Sequence, residues 1–85
     1  MLLEFYGTEC PHCIKMKPLV EQLKAETGVA VEQYEVWHND ENMKKLDEYD
    51  VGLCGGVPFF YNTETKGFIC GSTTYEKLKA WALGA

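Results

Sequence analysis

The chain has 85 residues, of which 46% are hydrophobic, so it is long enough for one small domain and too apolar for a disordered polymer. Eight basic and thirteen acidic side chains give a net charge of −5 without a basic cluster, which argues against nucleic-acid binding. No run is apolar and long enough to cross a bilayer, and residues 1–4 lack the basic region of a signal peptide. We therefore expect one monomeric, cytoplasmic domain over residues 1–85, bound to neither membranes nor nucleic acid.

The first part of the chain predicts a strand followed by a long helix. Residues 2–6 are an apolar run that ends at Gly7, which is typical of a buried strand. A helix is predicted over residues 11–27, because apolar side chains recur at helical spacing and Gly28 is a natural stop. The apolar stripe of this helix consists of Met16, Leu19, Val20 and Leu23.

A second strand and a second helix follow. Residues 29–37 are rich in Val and Tyr and predict a strand. At its end we expect Trp37 in the core and His38 on the surface, and the alternative is that both side chains rim a binding groove. Asn39 or Asp40 is expected to cap a helix that runs to about residue 49. Two side chains of this helix are predicted to face inward, namely Met43 and Leu46.

The last part of the chain predicts a hairpin and a final helix. Residues 58–61 and 68–70 read as strands joined by a turn. Thr73 and Glu76 resemble a capping box that opens the last helix. The inner face of that helix is predicted to carry Tyr75, Leu78 and Ala82. The resulting order is β-α-β-α-β-β-α, an α/β fold whose four-stranded mixed sheet has helices on both faces.

The segment Cys10-Pro11-His12-Cys13 joins the first strand to the first helix, which is the setting of a redox CxxC motif. The unpaired N–H groups of a helix N-terminus stabilise a thiolate, so Cys10, expected at the exposed entrance of the helix, is the predicted nucleophile. Cys13 lies one turn further on and would resolve the mixed disulfide. As an imidazolium or a hydrogen-bond donor, His12 would favour the Cys10 thiolate.

Half of a metal site is the alternative interpretation of the same cysteines. A zinc or iron–sulfur site needs a second pair of ligands, and only the isolated Cys54 and Cys70 are available. The redox interpretation is therefore favoured. Neither a cofactor nor a metal is expected.

Glu4 is the only charged residue of the first strand. If that strand is central in the sheet, the carboxyl group is buried, and burial would raise its pKa. Glu4 would then carry protons to and from Cys13. A strand nearer the edge of the sheet would instead leave Glu4 in water, with no such role.

Residues 3–18, which run LEFYGTECPHCIKMKP, resemble the active-site stretch of the thioredoxin superfamily, and most of all that of protein disulfide isomerase domains. The Pro-His dipeptide is similar to that of the bacterial periplasmic disulfide oxidase. Pro18 stands where thioredoxins have a proline inside the helix. The resemblance implies a minimal, glutaredoxin-sized thioredoxin-like fold. The chain departs from the pattern at Glu9, which replaces a common Trp, and in a longer loop over residues 49–58.

The resemblance also implies a substrate surface opposite the CxxC. Val57-Pro58 stands at the position of the family's cis-proline, where the backbone of Val57 would pair with a substrate chain. Gly71 matches a glycine that lines this surface, and Pro11 would contribute from the motif itself. The implied function is thiol–disulfide oxidoreduction on protein disulfide or dithiol substrates, with an upstream redox partner.

Two other functions fit the same resemblance. A non-catalytic thioredoxin-like module would use the groove only for binding, and the CxxC would be incidental. A glutaredoxin-type reductase would be linked to glutathione, but residues 70–73, CGST, lack the Gly-Gly-x-Asp pattern by which glutaredoxins hold it.

Cys54 and Cys70 lie near the CxxC end of the sheet in such a fold. We expect two small packing residues, because free cysteine is among the most buried residue types. The alternatives are a Cys54–Cys70 disulfide or an accessory pair of redox thiols, either of which requires Cα atoms within about 7 Å.

Overall fold

The computed structural model describes residues 1–84, so the last residue of the predicted domain, 85, lies outside the described residues. The elements in chain order are β1 (Leu2–Tyr6), α1 (Pro11–Thr27), β2 (Val31–Glu35), α2 (Asp40–Tyr49), β3 (Phe59–Asn62), β4 (Phe68–Cys70) and α3 (Tyr75–Leu83). The sheet has the order β2-β1-β3-β4, with β1 and β2 parallel and β3 antiparallel to both of its neighbours. The predicted order of elements and the mixed four-stranded sheet are confirmed.

Strand β1 lies between β2 and β3, and both of its faces are buried because a hydrophobic cluster packs on each side of the sheet. Alternate side chains of a strand point to opposite faces. Leu2 packs on the side of α1 and α3, whereas Leu3 and Phe5 pack on the side of α2. Glu4 shares its face with Leu2, so its carboxylate points toward α1, the helix that carries the CxxC.

The core on the α1 and α3 side consists of large apolar side chains, each of which contributes about 1.5–3 kcal/mol when fully buried. Its members are Leu2, Met16, Val20, Leu23, Val31, Phe60, Leu78 and Trp81. The indole N–H of Trp81 donates to the carbonyl of Gly67 over 3.1 Å, which ties α3 to the β3–β4 turn. The predicted stripe of α1 is buried here, except that Leu19 is only half-buried.

The core on the α2 side is mainly aromatic. Phe5 stacks on Tyr34 with ring centroids 5.4 Å apart and on Phe59 at 6.0 Å. Tyr49 of α2 approaches Tyr61 of β3 at 5.1 Å. The remaining apolar members are Leu3, Val36 and Leu46, and Cys54 and Val57 of the loop before β3 pack against the same cluster. This loop is therefore anchored in the core near its C-terminal end.

Three details of the helices and of β2 differ from the sequence predictions. Met43 is 40% exposed, so α2 buries only Leu46. The cap of α3 is Thr74, whose side chain accepts the N–H of Lys77, rather than Thr73, whose N–H donates to the sulfur of Met16. The predicted core position of Trp37 is also wrong.

Trp37 is 48% exposed because β2 ends at Glu35, two residues earlier than predicted. Its ring lies flat over the backbone of Gly7, where an added Cβ would collide with the indole. Gly7 is therefore required for close approach at the turn that leads from β1 to the CxxC. Among residues 1–84, no helix combines the length and the apolar character needed to cross a membrane.

Candidate active site

Cys10 is the N-cap residue of α1, and its sulfur accepts the backbone N–H of Cys13 over 3.2 Å. A hydrogen bond from a helix N-terminus favours the negative charge of a thiolate. The helix begins directly with Pro11, a residue suited to this position because it has no N–H to satisfy. The local sequence thus places the sulfur of Cys10 at the positive end of the helix dipole.

The predicted exposure of Cys10 at the helix entrance is wrong. The residue is only 4% exposed, as little as Cys13 at 5%. The cover includes the loop before β3, since the thiol of Cys10 donates to the carbonyl of Val57 over 3.9 Å. Access alone therefore does not distinguish the two cysteines.

Cys13 differs from Cys10 in its electrostatics. Burial raises the pKa of the Cys13 thiol to about 12, and both the hydrogen bond with Cys10 and the nearby charge of Glu4 act in the same direction. Both cysteines are free thiols. Because Cys13 holds its proton so firmly, it needs a base before it can attack.

Glu4 is only 2% exposed, which confirms its predicted burial. Burial raises the pKa of its carboxyl group above the ordinary value, and two weaker effects oppose this, a hydrogen bond from Gln33 and the charge of Lys24. The side-chain amide of Gln33 donates to Glu4 over 2.8 Å, and the two residues are neighbours in the β1–β2 register. Gln33 was not predicted, and only the pairing of these strands reveals it.

A pocket of about 300 Å³ connects these groups. Glu4 and Cys13 both line it, together with Gln33. The other lining residues are Tyr6, Gly7, Thr8, Ile14 and Lys17. A buried carboxyl group and a buried thiol therefore share one small cavity, which is large enough for a few water molecules.

The segment opposite the CxxC contains the predicted substrate-binding residues Val57, Pro58 and Gly71. The Val57–Pro58 peptide bond is cis. The N–H of Gly71 donates to the carbonyl of Pro58 over 2.9 Å, and Gly71 has a φ of 78°, a conformation that favours glycine. The structure brings these three residues together, and the carbonyl of Val57 faces Cys10.

Cys54 and Cys70 are joined by a disulfide, with Cα atoms 5.5 Å apart. The preferred prediction, two unlinked packing residues, is therefore wrong. The carboxylate of Asp50 accepts the N–H groups of Leu53, Cys54 and Gly55 at 2.7–3.0 Å, which folds the loop back toward β4. The bridge also removes two of the four thiolates that a four-cysteine metal site would need.

The remaining residues of the motif, Pro11 and His12, are exposed in the first turn of α1. Within residues 1–84, the ring of His12 forms no hydrogen bond, so the structure offers only its charge and its position as means of acting on Cys10. The role predicted for His12 stays a prediction.

A polar network that the sequence did not predict supports the turn before Cys10. The carboxylate of Glu35 accepts the N–H and hydroxyl of Thr8 and the N–H of His38 at 2.7–3.1 Å. The imidazole of His38 lies 2.7 Å from the carboxylate of Glu9, which raises the pKa of His38. The ligand atoms of Glu9, Glu35 and His38 lie within 4.8 Å of one another, but these hydrogen bonds already engage them.

The comparisons with known proteins agree with this arrangement. A protein-family model described as Thioredoxin matches residues 1–83. A search of the curated proteins finds no match. Among solved structures, the chain is similar to the glutaredoxin grx-1 from Archaeoglobus fulgidus, with a TM-score of 0.65 and 21% identity over 94% of this chain and 83% of that one. At this identity the structural likeness shows the fold alone, but the family model spans nearly the whole sequence, and the chain belongs to the thioredoxin family.

Proposed function

We propose that the protein exchanges disulfides with protein substrates through Cys10 and Cys13. Membership of the thioredoxin family supports a thiol–disulfide oxidoreductase in general. The observation that carries the specific proposal is the contrast between the two thiols. Cys10 receives a helix N–H at its sulfur, whereas burial raises the pKa of Cys13 to about 12. This contrast suits a nucleophile and a resolving thiol.

In the reducing direction, the thiolate of Cys10 attacks one sulfur of a substrate disulfide. The substrate S–S bond breaks, one substrate sulfur leaves as a thiolate, and a mixed disulfide joins Cys10 to the other. Cys13 then loses its proton and attacks the sulfur of Cys10, which releases the second substrate thiolate. The substrate gains two electrons, and Cys10 and Cys13 become a disulfide that an upstream redox partner must reduce.

Glu4 is proposed as the base that takes the proton of Cys13. A buried carboxylate without a compensating charge is costly, so a purely structural role does not account for it. Its raised pKa brings it closer to the working pH of a general base, and it shares the pocket with Cys13. In the oxidising direction, the same carboxyl group would return the proton.

A polypeptide substrate is favoured by the surroundings of Cys10. The backbone of Val57 lies beside the sulfur and would offer hydrogen bonds to an extended chain. Ile14, directly after the CxxC motif, and Trp37, which packs against Gly7, both have exposed side chains. These side chains would contact apolar residues of the substrate. Pro11, Pro58 and Gly71 are proposed to complete the contact surface.

The two alternative functions have less support. The solved relative is called a glutaredoxin, but residues 70–73 lack that family's glutathione-binding pattern and Cys70 is bridged to Cys54. A binding module without catalysis would leave the pairing of a buried Glu4 with Cys13 unexplained.

Trapping of mixed disulfides tests the proposal. When mixed with an oxidised protein substrate, Cys13→Ser should accumulate a covalent adduct through Cys10, whereas Cys10→Ser should not. Alkylation of the reduced protein at neutral pH should label Cys10 first. Preferential labelling of Cys13, or an adduct through Cys13, would contradict the assignment. An adduct that forms with glutathione but with no protein disulfide would instead favour the glutaredoxin alternative.

A further inference from the structure

We propose that Cys54 and Cys70 form a second redox site, a disulfide that an external dithiol opens and whose state controls how firmly the Val57–Pro58 segment is held beside Cys10. The opening of the bridge is independent of the function proposed above. Its effect on substrates rests on that function.

The bridge is accessible from solvent on one side. Cys70 is exposed at the end of β4, a three-residue strand that forms the edge of the sheet. Cys54 is half-buried against the aromatic cluster, so Cys70 is the sulfur open to attack. Exposed disulfides are typically the labile ones, whereas buried structural disulfides resist reduction.

The bridge closes a ring around the substrate-facing segment. From Cys54, only Gly55 and Gly56 intervene before Val57, whose carbonyl lies 3.9 Å from the sulfur of Cys10. On the other side, Gly71 follows Cys70 directly and its N–H holds the carbonyl of Pro58. Each cysteine of the bridge is therefore close to the Val57–Pro58 segment. Cys54 is three residues from Val57 along the chain, and Cys70 is followed directly by Gly71, which is hydrogen-bonded to Pro58.

Gly55 and Gly56, which join Cys54 to Val57, make the position of the Val57–Pro58 segment depend on the bridge. A Cβ at Gly55 or Gly56 would meet no atom within 4 Å, so this stretch lies in open space without packing of its own. When the bridge is open, the segment keeps the packing of Val57, the attachment of Pro58 to β3, and the hydrogen bonds of Gly55 with Asp50 and of Gly71 with Pro58, but it loses its covalent tie to β4. Its position opposite Cys10 should then be less well defined.

The rest of the loop does not depend on the bridge. The carboxylate of Asp50 holds three backbone N–H groups at the start of the loop, and the N–H of Asp50 itself donates to Leu46 at the end of α2. These bonds involve no sulfur. Opening the bridge should therefore loosen a short segment rather than unfold the domain.

The redox step balances as an ordinary dithiol exchange. One thiolate of the external dithiol attacks the sulfur of Cys70, the Cys54–Cys70 bond breaks, and Cys54 leaves as a thiolate that is protonated by water. The second thiol of the reagent loses its proton and attacks the reagent's own bridged sulfur, which releases Cys70 as a thiolate that is protonated in turn. The bridge gains two electrons and two protons, and the dithiol becomes a disulfide.

The test uses a Cys10→Ser/Cys13→Ser chain, in which only this bridge can react. Dithiothreitol is added to the folded protein, alkylation and mass spectrometry follow both cysteines, and hydrogen exchange follows the amide of Gly71, which donates to the carbonyl of Pro58. We expect both thiols to be released without loss of the folded circular-dichroism spectrum, and exchange at Gly71 to rise roughly tenfold or more while β1 is unchanged. The control lacks all four cysteines, should exchange at the faster rate from the start, and should not respond to dithiol.

A bridge that stays closed to dithiol until the chain unfolds would overturn the proposal, as would an opened bridge with unchanged exchange at Gly71. A second measurement uses Cys54→Ser/Cys70→Ser with Cys10 and Cys13 intact, and we expect the KM for a protein disulfide to rise while kcat is retained. An unchanged KM would refute the control of substrate binding. If the bridge opens and the segment loosens but no chain exchanges disulfides, the function proposed above fails and the second redox site stands.

Discussion

Cys10 and Cys13 are free thiols in the first turn of a helix, whereas Cys54 and Cys70 are bridged between a loop and an edge strand. The first pair is buried and lies three residues apart, so the helix itself fixes the distance between the sulfurs. The second pair is separated by 16 residues, and the tertiary fold alone brings it together. The helix thus keeps Cys10 and Cys13 at a distance that suits a bond that is made and broken repeatedly. The fold places Cys54 and Cys70 where a bond holds two distant segments in place.

Each pair also has a carboxylate that orders the backbone beside it. Glu35 binds Thr8 and the N–H of His38 next to the turn before Cys10, and Asp50 binds three N–H groups around Cys54. The pairs differ in their access to a proton acceptor. Glu4 shares a cavity with Cys13, whereas the carboxylate of Asp50 is engaged by backbone N–H groups of the loop. The difference predicts that mutations at the two pairs will separate catalysis from stability.

The largest expected effect is on activity. Cys10→Ser should reduce disulfide exchange to the uncatalysed background, because burial raises the pKa of the remaining free thiol, Cys13, to about 12. The matched variant Cys54→Ser removes a cysteine of the other pair and should retain turnover. Reduction of a protein disulfide under continuous regeneration by a dithiol measures both. Equal losses in the two variants would contradict the division of roles.

The second prediction concerns stability. Replacing both Cys54 and Cys70 by Ser should lower the free energy of unfolding by about 3 kcal/mol, the loop-closure contribution expected for a ring of this length. Urea unfolding of oxidised wild type and of the double variant provides the measurement. Reduced wild type should unfold at nearly the same urea concentration as the variant. If oxidised and reduced wild type unfold alike, the bridge does not stabilise the fold.

The third prediction isolates the proton acceptor. Glu4→Gln keeps the shape of the side chain but cannot take the proton of Cys13, so resolution of the mixed disulfide should slow by on the order of 10²-fold. The first attack by Cys10 should slow much less. Rapid-quench measurement of both steps separates them. Equal slowing of attack and resolution would indicate a general disturbance of the site rather than a lost base.

Glu4 should also give the fold a characteristic pH dependence. Because burial raises its pKa, the folded chain binds more protons than the unfolded chain between the ordinary carboxyl pKa and the raised one. The stabilisation is therefore complete below the ordinary value, and it is lost as the pH rises through the raised value. As the pH rises over this interval, wild type should lose unfolding free energy relative to Glu4→Gln, so the variant should become the more stable of the two by a growing margin. A difference that does not change with pH would show that Glu4 titrates normally.

The helices and strands follow closely from local sequence signals, whereas the site depends on contacts that those signals do not contain. Helix α1 has its predicted limits because Pro11 and Gly28 mark both ends. The cover of Cys10 includes the carbonyl of Val57, which is 47 residues away along the chain. The Cys54–Cys70 bridge depends on the path that Asp50 imposes on the loop.

The two side chains on which prediction failed most plainly, Met43 and Trp37, have a common explanation. Periodicity says which residues of an element share a face, but not how far a neighbouring element extends to cover them. Strand β2 stops at Glu35, and α2 covers the aromatic cluster with Leu46. Met43 and Trp37 are thus left partly exposed in spite of an apolar pattern that would bury them.

The smallest predicted effect concerns the ion pair of Glu9 and His38, at the turn before Cys10. Their side chains are both 60% exposed and form an ion pair at 2.7 Å when the imidazole is protonated. The hydrogen bond and charge of Glu9 raise the pKa of His38, so the stabilisation is present below the ordinary histidine pKa and is lost as the pH rises through the raised value. Exposed pairs of this kind contribute little to stability.

Glu9→Gln should therefore lower the pKa of His38 toward its ordinary value with little change in unfolding free energy or turnover. NMR titration of the His38 ring protons measures the pKa directly. Glu76→Gln, which removes an exposed carboxylate from the first turn of α3, is the matched control and should leave the titration of His38 unchanged. A large loss of turnover in Glu9→Gln at neutral pH would show that the ion pair positions Cys10. In that case the polar network before the CxxC belongs to the catalytic machinery rather than to its support.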